Sequence, residues 1–218
     1  MSFRRFLIIL GGLLIAALPA SRALAQGTIS APAVEFSMGV GYANLSLGSN
    51  SALDSADALR FEPAISMSPF ARLPQLRIGA AAGVSMVLDN SGSALIINNG
   101  GLIFFSNADI PFWTLEPELR ISWRQTFGNG QQLFIEPGLA GGVAFGWVDL
   151  HTTDQNHSYS SSDRTAYGRV YLRGGVQVPG GVVGLEGSWL AGGRMDFGGD
   201  AVGDLREYYI GIYGAFRF

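Results

Sequence analysis

The chain contains no cysteine. Disulfides, thiolate catalysis and cysteine-held metal or cluster sites are therefore excluded. It contains no lysine either, so all 14 basic residues are arginine. Histidine is scarce: His151 and His157 are the two present. Without clustered histidines and with no thiolate, a transition-metal site has no donor set to draw on. The aspartates lack the spacing of a helix–loop–helix calcium site. Charge is sparse at 14% of residues, and the formal net charge is −3. Nucleic-acid binding needs a basic surface, which such a balance does not supply. No cofactor, metal or catalytic residue is expected.

What is present first is an N-terminal export pattern. Arg4 and Arg5 precede the apolar run from Phe6 to Leu18, followed by Pro19, Ser21 and the small-residue pattern Ala23-Leu24-Ala25. This is the n-region, h-region and cleavage site of a signal peptide. The run is shorter than the roughly 20 residues a spanning helix needs, and no later stretch is longer. Cleavage after Ala25 leaves residues 26–218 as one domain of 193 residues with a net charge of −6.

The C-terminus alternates strictly. Tyr208, Ile210, Ile212, Gly214, Phe216 and Phe218 point one way, and Tyr209, Gly211, Tyr213, Ala215 and Arg217 the other. Such a period of two, with one lipid-compatible face, marks a transmembrane β-strand. Seven further segments alternate in the same way, near residues 34–43, 59–67, 76–88, 113–124, 133–147, 167–178 and 183–189. Prolines interrupt three of them at Pro63, Pro117 and Pro137, where bulges are expected because each removes a ladder donor. Short connections (71–75, 128–132, 179–181) alternate with long polar ones (48–58, 89–111, 149–163, 192–205). Periplasmic turns and extracellular loops alternate in this way, and an even strand number puts both termini in the periplasm.

Two distributions fix the phase. Every glutamate has inward parity. All four tryptophans, Trp113, Trp123, Trp147 and Trp189, have outward parity and are expected at the membrane interfaces. Trp113 and Trp123 are ten residues apart, which at a tilt near 40° separates them by roughly 25 Å along the membrane normal, the height of an apolar band. The expected fold is an all-β, transmembrane, antiparallel up-and-down β-barrel of eight strands.

With these segments in view, the chain resembles the small eight-stranded bacterial outer-membrane barrels of the OmpA transmembrane-domain and OmpX type. The likeness covers nearly the whole mature chain, in architecture more than in motif. It implies residence in the outer membrane of a Gram-negative cell, contact with membrane lipid and lipopolysaccharide, and a monomeric state. It also implies that Tyr208, Ile210, Ile212, Phe216 and Phe218 form the signal read by the barrel-assembly machinery.

Seven arginines with inward parity face seven glutamates, so the lumen is close to neutral. The expected charge network contains Glu62, Arg77, Glu116, Glu118, Arg120, Arg124, Glu136, Arg169, Arg173 and Glu186. Buried charges must pair, or each costs several kcal/mol in desolvation. Hairpin arithmetic sets Arg124 opposite Glu136 and Arg173 near Glu186. The small residues on the third and fifth strands leave room for Glu116, Glu118 and Arg120 to cross the lumen. A salt-bridged plug is the reading of this set, with a gated ion path as the alternative.

An enzyme finds little support. Thr153 and Tyr159 stand two positions after the histidines, so the His-x-Ser pattern of outer-membrane lipid A deacylases is missing. Asp149 and His151 share parity and are the one candidate pair for water activation. The segment Leu95-Ile96-Ile97, then 98–101, then Leu102-Ile103-Phe104-Phe105 reads as a β-hairpin with a primed turn. Apolar on both faces, it is a candidate contact for an extracellular partner, against the alternative of two more spanning strands. A non-enzymatic structural or surface-interaction barrel is expected. The runner-up is a narrow, porin-like channel for small or hydrophobic solutes, OmpW-like, which would need an apolar lumen.

Overall fold

The computed structural model describes residues 34–48, 56–70, 72–87, 91–98, 101–109, 111–128, 132–151, 158–198 and 202–218. The expected signal peptide over residues 1–25 lies outside them. The described strands are β1 (Val34–Ser46), β2 (Ala56–Met67), β3 (Leu76–Val87), β4 (Ser91–Asn98), β5 (Gly101–Asp109), β6 (Phe112–Trp123), β7 (Gln125–Phe127), β8 (Leu133–His151), β9 (Ser158–Val178), β10 (Gly181–Asp196) and β11 (Val202–Arg217).

Eight of these strands close into a ring. The antiparallel pairs run β1–β2, β2–β3, β3–β6, β6–β8, β8–β9, β9–β10, β10–β11 and back from β11 to β1. β7 continues β6 along the same neighbour, β8, after a break at Arg124. Closure pairs the terminal strand β11 on both sides and so removes the hazard that an apolar edge strand would otherwise carry. At the seam, Val40 stands opposite Ile212 and Phe36 opposite Phe216, so apolar outward residues meet across the joint.

Alternation decides what each side of the wall faces. On β6, Phe112, Thr114, Glu116, Glu118, Arg120 and Ser122 are buried, while Trp113, Pro117, Leu119, Ile121 and Trp123 are exposed. Leu119 is 74% exposed and Ile210 61%, values that make sense only against lipid. The fold is a transmembrane eight-stranded barrel.

The hairpin of β4 and β5 stands outside the ring. Ile97 pairs with Leu102 and Asn98 with Gly101, as the sequence suggests. Its link to the barrel among the described residues is one pairing, Asp109 with His151. It therefore adds no spanning strands.

Two expectations need correction. The 149–163 and 192–205 stretches are largely strand rather than loop. The β8–β9 ladder runs to His151 opposite Ser158, with Ser160 paired to Asp149. β10 and β11 stay paired to Asp196 opposite Val202. Polar composition hid this, because a two-stranded ladder beyond the membrane has water on its surface and needs no apolar face. The prolines are not bulges. Register is unchanged across Pro63 on the β3 side and across Pro117 and Pro137 between β6–β7 and β8; only the pairing lapses there. Each proline faces outward and withholds its missing donor from one neighbour. The bulges fall instead at Ala191/Arg194 and Gly92/Ala94. The short turns follow expectation, with Gly128 and Gly180 at φ 89° and 83°, the left-handed region that glycine reaches without strain.

Candidate functional site in the barrel lumen

All seven glutamates end inside the barrel. Glu35, Glu62, Glu116, Glu118, Glu136, Glu186 and Glu207 are 0–4% exposed, and Arg60, Arg77, Arg120, Arg124, Arg169 and Arg173 are 0–7% exposed. Side chains lining a water-filled pore would show far more surface. Arg217 differs: its side chain is 41% exposed at the rim.

The charges form two linked groups. The larger surrounds Arg60 and Arg169. Arg60 lies 2.9 Å from Glu62, 2.5 Å from Glu116 and 3.0 Å from Glu207. Arg169 lies 2.5 Å from Glu116, 3.2 Å from Glu118 and 3.3 Å from Glu207. Arg120 joins Glu118 and Glu62, the latter at 2.5 Å. Arg173 reaches Glu186 at 2.6 Å. Hydroxyls complete the shell: Ser85 donates to Glu207 at 2.6 Å and Thr114 to Glu116 at 2.7 Å. The second group centres on Glu35, whose Oε1 is 2.8 Å from Arg124 and 3.3 Å from Arg77. Arg124 also meets Glu136 at 2.6 Å, and Ser122 donates to Glu136 at 2.7 Å.

The sequence-derived pairs Arg124–Glu136 and Arg173–Glu186 are therefore in contact. Arg60, Glu35 and Glu207 carry more of the connectivity than their parity alone indicated. Room for them comes from small neighbours. A Cβ on Gly83 would lie 1.9 Å from Arg60 Nη2, so this glycine is the space the guanidinium fills.

Aromatics divide between the two faces. Tyr167, Tyr171, Tyr209 and Tyr213 are buried inside. Arg173 stacks 4.8 Å from the Tyr213 ring and Arg120 5.0 Å from Tyr171. A tyrosine serves there because its face meets a cation, and the Tyr167 hydroxyl also donates to Glu118 at 2.8 Å. On the outer wall, Trp113 and Trp147 stack at 4.0 Å between ring centroids. Trp123 and Trp189 are also exposed there.

A layer the sequence reading missed lies at the end of the barrel away from the chain termini. Leu45, Leu47, Phe112, Val148, Leu190, Met195, Phe197 and Leu205 are buried there as one cluster, with Phe112 and Phe197 edge to face at 5.6 Å. It covers the charged network from that side. A smaller group, Phe134, Val182, Tyr213 and Ala215, packs near the opposite end. Among the described residues no group of His, Cys, Asp and Glu is placed to hold a metal.

The side chains of Leu95, Ile96, Ile97, Leu102, Ile103, Phe104, Phe105 and His151 lie outside the described set. In the terminal strand Tyr208, Ile210 and Ile212 face outward, Phe216 is partly buried, and Phe218 is 70% exposed with its N–H bonded to Val34 O at 2.9 Å.

No family model matches the chain, and no curated protein matches it in sequence. Solved structures do match in shape. A major outer-membrane protein from Thermus thermophilus superposes with a TM-score of 0.57 at 10% identity, over 85% of this chain and 99% of that one. Neisserial surface protein A gives 0.51 at 11% identity with the same coverage. Ail, the attachment invasion locus protein of Yersinia pestis, gives 0.50 at 12% identity, again over 85% and 99%. At such identity the likeness is one of fold, and the fold is that of the small outer-membrane β-barrels.

Proposed function

We propose that the protein is a non-conducting, non-enzymatic barrel of the bacterial outer membrane that acts through its outer surface. The observation that carries this reading is the burial of the lumen charges at 0–7% exposure beneath an apolar layer. Among the described residues, a lumen filled in this way leaves no aqueous path and no cleft for a substrate inside the barrel. Eight strands leave an interior that side chains can fill. The runner-up, a channel for hydrophobic solutes, needs an apolar lumen throughout, and the middle of this one is ionic.

In this reading residues 1–25 direct export, both termini are periplasmic, and Phe218 closes the strand read during assembly. The strand extensions beyond the tryptophans and the β4–β5 hairpin stand outside the cell and meet lipopolysaccharide or a partner surface. The protein works as a monomer.

Planar-bilayer recording of the purified full chain tests the reading. The expected trace shows no steady conductance. A stable open-channel current would overturn the plug and favour the porin alternative. Orientation is tested separately, with an epitope inserted in residues 152–157. It should be accessible on intact cells, and shielding there would invert the barrel.

A further inference from the structure

The outer wall carries a cavity of about 310 Å³ lined by Phe145, Trp147, Ser162, Asp163 and Arg164. It lies where β8 and β9 leave the apolar band. Register explains its composition: Trp147 stands opposite Ser162 and Phe145 opposite Arg164, so two aromatic positions of β8 adjoin two polar positions of β9. Trp113 backs Trp147 by stacking at 4.0 Å, which holds that ring as a fixed wall. Asp163, opposite Gly146, has inward parity and borders the cavity while its carboxylate accepts from the backbone N–H of Arg164 and of Asp196, each at 2.7 Å. The Arg164 side chain is exposed, and among the described residues its guanidinium makes no ion pair or hydrogen bond. Every lumen arginine, by contrast, is paired.

An aromatic wall beside a hydroxyl and an exposed guanidinium suits one ligand chemistry. The C–H face of a sugar ring packs on the aromatic surface, a ring hydroxyl meets Ser162, and an attached phosphate takes the planar fork of Arg164. The volume lies at the low end of the range for small-molecule sites, enough for a sugar phosphate and too small for a peptide segment. Position selects the source. The next outward positions down β9, Ala166 and Gly168, are small, and a Cβ on Gly168 would meet nothing within 4 Å. Lipid-facing Val143 and Leu119 lie alongside. A headgroup in the cavity would thus have its tail against the apolar wall.

We propose that this cavity binds the phosphorylated sugar headgroup of lipopolysaccharide in the outer leaflet, with Arg164 at the phosphate and Trp147 against the sugar. The proposal rests on the outer-membrane placement and orientation given above.

The test uses the full chain folded in detergent and lipid A carrying its phosphates, with binding read by native mass spectrometry. Arg164→Gln should weaken binding about tenfold, the scale of one charge-assisted contact. Trp147→Leu should weaken it several-fold, and removing the phosphates from the lipid should mimic Arg164→Gln. Arg72→Gln, in the turn at the other end, should change nothing. Equal affinity of wild type and Arg164→Gln would overturn the site. Glucosamine phosphate without acyl chains competing as well as lipid A would overturn the lipid assignment. Normal lipid A binding together with a shielded 152–157 epitope on cells would leave the cavity standing and remove the outer-leaflet placement. Heat-modifiable migration of each variant on gels verifies that the barrel is folded.

Discussion

Around Arg60 the lumen is filled by guanidinium and carboxylate groups; around Phe197, nearer the mouth, it is filled by hydrocarbon. Both zones are equally buried, yet they hold together for different reasons. The apolar zone needs only volume and complementary shape. The ionic zone needs every partner at once, because a buried charge without its counter-ion costs more than the pair contributes. Arg60 and Arg169 each reach three carboxylates within 3.3 Å, and Glu116 and Glu207 are shared between them. Such sharing makes the ionic zone specific and brittle. The apolar zone, built from separate contacts, is softer.

Arg60→Met breaks the comparison hardest. The substitution keeps much of the volume and removes the charge, leaving Glu116 and Glu207 with Arg169 as their remaining partner among those within 4 Å. A loss of about 3–5 kcal/mol is expected, the range for leaving a buried charge uncompensated. Reversible denaturant unfolding in detergent measures it. A loss under 1 kcal/mol would show that the neighbours re-pair freely and that the zone is not brittle.

Met195→Ala is the matching probe of the apolar zone. The side chain is fully buried, and about 2–3 kcal/mol is expected, toward the low end for such truncations. The site lies at an open end of the barrel, where strands relax into part of the cavity. Bilayer recording should still show no conductance, because the ionic zone lies beneath. Current through this variant would mean that the apolar layer alone blocks the lumen.

The two zones were not equally legible in the sequence. On β6, Glu116, Glu118 and Arg120 alternate with Leu115, Pro117, Leu119 and Ile121, so polarity itself announces which side faces in. At the start of the same strand Phe112 and Trp113 are both apolar, and nothing in the sequence separates the one in the mouth from the one facing lipid. Val148, beside Trp147, was hidden for the same reason, whereas Leu45 lies between the polar Asn44 and Ser46, where the apolar parity belongs to the lumen instead of the lipid side. Met195 and Phe197 were hidden twice, since the shift between Ala191 and Arg194 changes the parity on which the reading depends. The serine-rich start of β9, residues 158–163, read as a loop because strands beyond the membrane have no lipid side to reveal their period. Pairings across short turns were readable, since Gly128 and Gly180 fix the count. The pairing of Arg60 with Glu207 was not, because it crosses the lumen and no hairpin register reports it.

Glu35 offers the finest version of the same comparison, since it binds a buried and an exposed arginine at once. Arg124 donates to both of its oxygens at 2.8 Å. Arg217 lies 3.7 Å away with its side chain 41% exposed. At the rim, water solvates the guanidinium whether or not the carboxylate is near, and salt screens their attraction. Arg217→Gln should therefore cost no more than about 1 kcal/mol, with the loss shrinking as salt is raised. Unfolding titrations at low and high ionic strength measure both features. A salt-independent loss of several kcal/mol would place Arg217 with the buried network and move the boundary of the ionic zone out to the rim.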